Sequence, residues 1–223
     1  MNIKVLYEDN HIIAVHKPSG VLTQADSSGE KSMFDIVKDY LREEYKKPGN
    51  VFLGLVHRLD KPVSGIVLLG KTSKGASRLS EQFRNHTIQK TYHAIVVGRP
   101  KQAQGSIKEK INKISFFAEG FTNKTDEELL AEIKKATKTR TAELEYQVVK
   151  LNGKYSLLRI LPKTGRFHQI RIQMAGMGCP VLGDSKTAKE IALCATAIVF
   201  QPVVGDKPIN LEIPLPEGWK RYI

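Results

Sequence analysis

The residues best equipped for chemistry lie in one short stretch, His57-Arg58-Leu59-Asp60, followed by Lys61-Pro62-Val63-Ser64-Gly65. An imidazole, a guanidinium and a carboxylate fall within four residues before proline and glycine break the backbone. The apolar run Ile66-Val67-Leu68-Leu69 comes next and predicts a buried strand. A carboxylate on an irregular segment braced by a rigid strand is well placed to act as base or nucleophile. A lone Asp beside Pro and Gly is more often a turn or cap residue than a catalyst. Two further segments are rich in donors. Gly165-Arg166-Phe167-His168-Gln169-Ile170-Arg171 carries two guanidiniums, an imidazole and an amide, and Lys90-Thr91-Tyr92-His93 sets a phenol beside cationic and polar groups. Taken singly, Arg166 and Arg171 read as phosphate contacts or surface charge, and Tyr92 as a core residue with a satisfied hydroxyl.

The elements that must position these groups follow from patterning. Val5 to Tyr7 and Ile12 to Val15 predict two short strands around a turn, ended by Lys17-Pro18-Ser19-Gly20. Ser32 is placed as an N-cap with Asp35 as its capping-box partner. Met33, Ile36, Val37, Tyr40 and Leu41 then keep helical spacing until Pro48-Gly49. A second helix begins at Thr72 or Ser73, with Ala76, Leu79 and Phe83 on its apolar face. Thr91 to Val97, Thr141 to Val148, Tyr155 to Leu161, Ile191 to Phe200 and Ile209 to Ile213 predict strands, with Asn152-Gly153 as a hairpin turn. Residues 99–140 are highly charged and weakly patterned and read as a variable insertion, with a short helix from Thr125 as N-cap and Glu128 as its partner. Phe167, Ile170 and Met174 suggest a last short helix whose other side carries Arg171. The expected class is α+β, a mixed, mostly antiparallel β-sheet with flanking helices, in a single domain over 1–223.

The chain has 223 residues, long enough for a substantial core, and its 35 Lys and Arg against 23 Asp and Glu leave a net charge of +12. From Lys71 to Lys113 there are ten basic residues against two acids, Glu81 and Glu109, a local net of +8. That field suits a polyanionic partner and equally a solvated basic surface. The cysteines Cys179 and Cys194 suggest no disulfide framework. His57 and His168 with them match no compact zinc-ligand spacing. No secretory signal is visible, and the longest apolar run, Ile191 to Phe200, is far short of the ~20 residues that span a bilayer. The expectation is a cytoplasmic protein without a membrane partner.

In combination the motifs resemble the RluA-type family of RNA pseudouridine synthases. Leu6-Tyr7-Glu8-Asp9 through Val15-His16-Lys17-Pro18-Ser19-Gly20 is similar to the family's opening motif, and His57 to Gly65 to its catalytic motif. Lys90-Thr91-Tyr92 with Gly98 matches the tyrosine motif. Thr164 to Arg171 with Gly178-Cys179-Pro180-Val181-Leu182-Gly183-Asp184 matches the third block. The blocks run in family order from near residue 5 to near residue 215, which is more specific than any single short pattern.

The resemblance implies isomerisation of uridine to pseudouridine in structured RNA, without metal or other cofactor. It puts the covalent or base chemistry on Asp60, whether by attack at C1′ or through a glycal route. Arg166 becomes the salt-bridge partner of Asp60, Tyr92 packs against the flipped base, and Arg58 helps fill the space the nucleotide leaves. His57, Arg171, Lys71 and Lys90 are further expected RNA contacts, although Lys17 and Lys71 also read as plain surface lysines. The motif begins almost at residue 1, so the expectation is a compact, monomeric member without an additional N-terminal RNA-binding domain and without an obligatory protein partner. Ribosomal RNA of the large subunit is the favoured substrate and transfer RNA the alternative. The chain departs from the family pattern at Thr187, Cys194 and Gln173, none of them a mapped catalytic position. Rival readings are a non-catalytic RNA-binding assembly factor and an RNA glycosidase or nuclease. Against hydrolysis, the motifs immediately around Asp60 and Arg166 offer no second carboxylate to flank a glycosidic bond, which leaves only distant acids such as Asp184 for that role.

Overall fold

A computed structural model of the chain describes residues 3–46, 48–111, 139–184 and 190–223. The helix expected from Thr125 and the departure at Thr187 lie outside these residues. The α+β expectation holds, with mostly antiparallel strands and three α-helices among the described residues. The chain divides into two compact units, residues 1–90 with 195–214, and residues 91–194 with 215–223.

In the first unit β1 (Lys4–Glu8) pairs antiparallel with β2 (Ile12–Lys17), and β2 with β4 (Ser64–Gly70). The two-residue strand β3 (Gly54–Leu55) also joins β4. Ile12 to Val15 and Ile66 to Leu69 are all essentially inaccessible, as continuous apolar runs buried on both faces should be. The helix α1 (Met33–Glu44) starts where the sequence predicts. Ser32 caps it, with the reciprocal Asp35 bond present, and Met33, Ile36, Val37 and Leu41 are buried. The helix α2 (Ser73–Arg84) is capped by the Thr72 hydroxyl, which accepts from the Gly75 N–H at 3.1 Å.

In the second unit the order is β5 (Gln89–Val97), β8 (Tyr155–Pro162), β7 (Arg140–Asn152) and β6 (Gln104–Ile111), each pair antiparallel. Strand β6 falls inside the segment read as a weakly patterned insertion. It lies at one end of this strand order and is mostly exposed, so its sequence lacks a strong apolar alternation. The third helix, α3 (Gln169–Gly176), corrects a second expectation. It has no polar side, for Gln169 to Met174 are all buried, Arg171 included, while Phe167 precedes the helix and is exposed. The late strands are β9 (Leu193–Phe200) and β10 (Ile209–Glu212), an antiparallel pair.

Candidate functional site

Asp60 sits in the loop between β3 and β4, and hydrogen bonds hold the loop's carbonyls from Leu59 to Pro62. Flanking Asp60, Leu59 and Val63 are buried anchors. The Thr23 hydroxyl donates to the Leu59 carbonyl at 2.7 Å and accepts from the Leu59 N–H at 3.1 Å. The Asp60 carbonyl accepts from the Val63 N–H at 3.0 Å. The Lys61 carbonyl accepts from the Gly20 N–H at 2.9 Å and from Lys17 Nζ at 3.1 Å. The Pro62 carbonyl accepts from the Ser19 hydroxyl at 2.7 Å. Four consecutive carbonyls outside any strand ladder thus have donors, three of them from residues 17–23, and buried backbone demands such pairing. The half-buried Asp60 side chain is therefore presented from a fixed backbone.

Lys17 is neither a surface lysine nor a phosphate contact. Its side chain is 0% exposed, and Nζ also donates to the Pro18 and Val21 carbonyls at 3.0 and 2.7 Å. A buried ammonium is tolerable only with such acceptors, and this one ties the end of β2 to the residue after Asp60. Downstream, Gly65 adopts φ +133°, and a Cβ there would overlap the backbone of Ala195.

Two other residues of this unit are occupied internally. Half-buried His57 accepts the Leu68 N–H through Nε2 at 2.9 Å, and its ring lies 4.6 Å from that of Phe83. Burial, with a smaller effect of the Lys90 charge, pushes its pKa down to about 3. It is neutral, carries its proton on Nδ1, and braces the loop against β4. Lys71, expected on RNA, pairs with Glu8, donates to the Asp9 carbonyl at 2.8 Å and to the Tyr45 hydroxyl at 3.1 Å, and its side chain is 9% exposed. Burial is the strongest single influence and opposes its charge, but the hydrogen bonds that Lys71 donates to Glu8 and Tyr45, with the charge of Glu8, together outweigh it and hold the ammonium above its ordinary pKa. Arg58 is exposed, and Lys90 is half-buried with its pKa lowered by burial.

In the second unit Tyr92 lies on β5 opposite Ile160 of β8, which lies opposite Tyr146 of β7. Directly paired residues point to one face, so the Tyr92 ring stands on the same face as Tyr146. Arg166 follows β8 in a loop stitched to β7 by Gln169. The Gln169 Oε1 accepts from the Arg166 N–H at 3.0 Å and the Thr164 hydroxyl at 2.8 Å, while Nε2 donates to the Glu143 carbonyl at 3.0 Å. Arg166 Nε donates to the Thr141 carbonyl at 3.0 Å, which fixes the root of its guanidinium. His168 adopts φ +48° and stacks on Phe167 with ring centroids 3.7 Å apart. Burial, then the Arg171 charge, pushes its pKa down to about 3. Arg171 grips Asp184 with a fork, Nη2 to Oδ1 at 2.6 Å and Nε to Oδ2 at 3.0 Å, with side chains 6% and 0% exposed. It is a packed cation held by this pair.

Residues 11–176 match the family described as RNA pseudouridylate synthase. The chain belongs to the RNA pseudouridylate synthase family. The synthase is 32% identical over 226 residues to the ribosomal large subunit pseudouridine synthase C of Rickettsia bellii, covering 97% of this chain and 70% of that one. It is 30% identical over 236 residues to the tRNA pseudouridine synthase C of Vibrio cholerae, covering 98% and 93%. Its fold is similar to that of human RNA pseudouridylate synthase domain containing 4, with a TM-score of 0.75 at 22% identity over 97% of this chain and 90% of the other. The synthase is therefore an RNA-modifying enzyme of the class its motifs resemble. Its expected site residues fall into two groups. Asp60 and Arg58 lie on a clamped loop of the first unit, and Tyr92 and Arg166 on a strand and a stitched loop of the second. His57, Lys71 and Arg171 are held by internal partners. Sequence reasoning passed over Thr23 and gave Ser19 and Gln169 no role beyond their place in the motifs, because their bonds to distant backbone have no local signature.

Proposed function

We propose that the synthase isomerises uridines of structured RNA with Asp60 as the catalytic carboxylate, and that its substrate is large-subunit ribosomal RNA. The observation that carries the role of Asp60 is its loop, in which the carbonyls of residues 59 to 62 are all held while the carboxylate stays half-buried. Breaking N1–C1′ and forming C5–C1′ conserves every atom of the uridine, the C5 proton leaving and N1 gaining one. A carboxylate that bonds transiently at C1′, or that removes a proton beside it, is sufficient for that route. Arg166 favours the ionised form of Asp60, Tyr92 stacks on the detached uracil, and Arg58 and Lys90 contact the RNA. The synthase acts as a monomer in the cytoplasm. Its likeness to ribosomal synthases from several Rickettsia species supports the ribosomal substrate. Transfer RNA is a second reading, supported by the 93% coverage of the Vibrio cholerae transfer-RNA enzyme.

The test is a pseudouridine map of ribosomal and transfer RNA from cells lacking the synthase, complemented with wild type or Asp60→Ala. Sites restored by wild type alone identify both substrate and carboxylate. Sites restored equally by Asp60→Ala would remove Asp60 from the chemistry. Restoration in transfer RNA alone would overturn the ribosomal assignment.

A further inference from the structure

We infer that Thr23 and Ser19 are positioning residues for the isomerisation, acting through the backbone on either side of Asp60; this rests on the role proposed for Asp60. Thr23 is 4% exposed, and its hydroxyl exchanges two hydrogen bonds with one residue, taking the Leu59 N–H and giving to the Leu59 carbonyl. One hydroxyl thereby does what a paired strand residue does in a ladder, at a place where no strand runs beside the loop. The main chain of Thr23 is itself tied to a rigid element. Its carbonyl accepts from the Phe34 N–H at 3.1 Å, and that of Leu22 accepts from the Met33 N–H at 2.8 Å, both in the first turn of capped α1. On the other side of Asp60, Ser19 holds the Pro62 carbonyl, and proline has no N–H with which to secure itself otherwise.

The two hydroxyls therefore set the φ and ψ of the segment from which the Asp60 side chain projects. A nucleophilic or basic carboxylate must meet its reacting atom within a few tenths of an ångström, and a displacement of ~1 Å costs ~100-fold in rate. Removing the Thr23 hydroxyl strands a buried N–H and a buried carbonyl on the residue before Asp60, and the loop relaxes to satisfy them. Neither hydroxyl is itself one of the proposed RNA contacts, but Arg58 shares the loop, so the chemical step is read with the RNA saturated by enzyme, separately from any loss of affinity.

The experiment compares wild type with Thr23→Val, Thr23→Ser and Ser19→Ala in single-turnover reactions with enzyme in excess over substrate RNA. Thermal unfolding and RNA affinity are measured alongside. Thr23→Val is nearly isosteric and should slow the reaction at saturating enzyme roughly 10- to 100-fold, a larger loss than any in RNA affinity. Thr23→Ser, which keeps the hydroxyl, should restore most of the rate, and Ser19→Ala should slow it less. A merely structural role would lower the folded fraction and the amplitude but leave the rate of the folded enzyme intact, and that result overturns the inference. If Thr23→Val does not fold, the decision passes to Ser19→Ala, where an unchanged rate overturns it. Asp60→Ala is the control: activity surviving there refutes the role of Asp60, whereas inactive Asp60→Ala with fully active Thr23→Val refutes only the clamp.

Discussion

Replacing Asp184 with alanine removes the carboxylate that Arg171 grips and leaves a guanidinium buried where its side chain is only 6% exposed. Removing one member of a buried ion pair costs about 3–5 kcal/mol, because the surviving charge loses its partner without regaining water. For a chain of this size 1 kcal/mol corresponds to about 2–4 °C in Tm, so Asp184→Ala should melt roughly 6–20 °C below wild type. Arg171→Met should be destabilising for the converse reason, a carboxylate with no exposure of its own left without its fork. The double variant should be far more stable than the sum of the two losses implies, since apolar replacement of a whole buried pair is often neutral. Chemical denaturation of all four proteins closes the cycle. Additive losses, or a cost below about 1 kcal/mol for Asp184→Ala, would show that the pair is not the desolvated unit its geometry describes. RNA binding supplies an independent arm. A phosphate contact would lower the slope of log affinity against log salt by about one when lost, whereas an internal cation predicts an unchanged slope for the folded double variant.

Acid should weaken the fold earlier than its carboxylates alone would. His57 and His168 are both held neutral, with pKa values pushed down to about 3 by burial, against 6.5 for the free imidazole. The unfolded chain therefore binds more protons below pH 6.5, and their stabilisation, complete above that pH, is progressively lost as pH falls toward 3. Denaturant midpoints between pH 7 and about 4.5, above the usual carboxylate range, should decrease, and a rise would contradict the neutral assignment. Gly65→Ala combines a left-handed φ of +133° with overlap on Ala195, whereas Gly153→Ala has φ +57° and nothing within 4 Å. The first should cost at least about 2 kcal/mol more than the second in equilibrium unfolding, and equal costs would mean that the Ala195 contact yields freely.

What was legible in the sequence follows from how local each signal is. Helix α1 could be read from Ser32, Asp35 and the spacing of Met33, Ile36, Val37 and Leu41, because cap and stripe lie within ten residues. The Asp60 motif could be read because its residue types are themselves unusual together. The existence of helix α3 could be read from Ile170 and Met174, but its burial all round could not, because its polar positions are bound internally to partners outside the helix. Arg171 finds Asp184, Gln169 finds the Glu143 carbonyl, and Gln173 donates to the Ile107 carbonyl at 3.3 Å. A periodicity argument assigns polar residues to solvent, so it placed Arg171 on a face that does not exist. Strand β6 was missed for the opposite reason, since an exposed strand with a polar outward row offers little apolar alternation to detect. The same distinction separates Asp60 from the groups that hold it. A carboxylate is recognisable by its own chemistry, while Thr23, Ser19 and Lys17 act by donating to main-chain carbonyls, which every residue possesses. Such contacts are specified by where the backbone passes and not by what it carries, so the positioning of Asp60 becomes visible only once residues 17–23 and 59–62 are seen side by side.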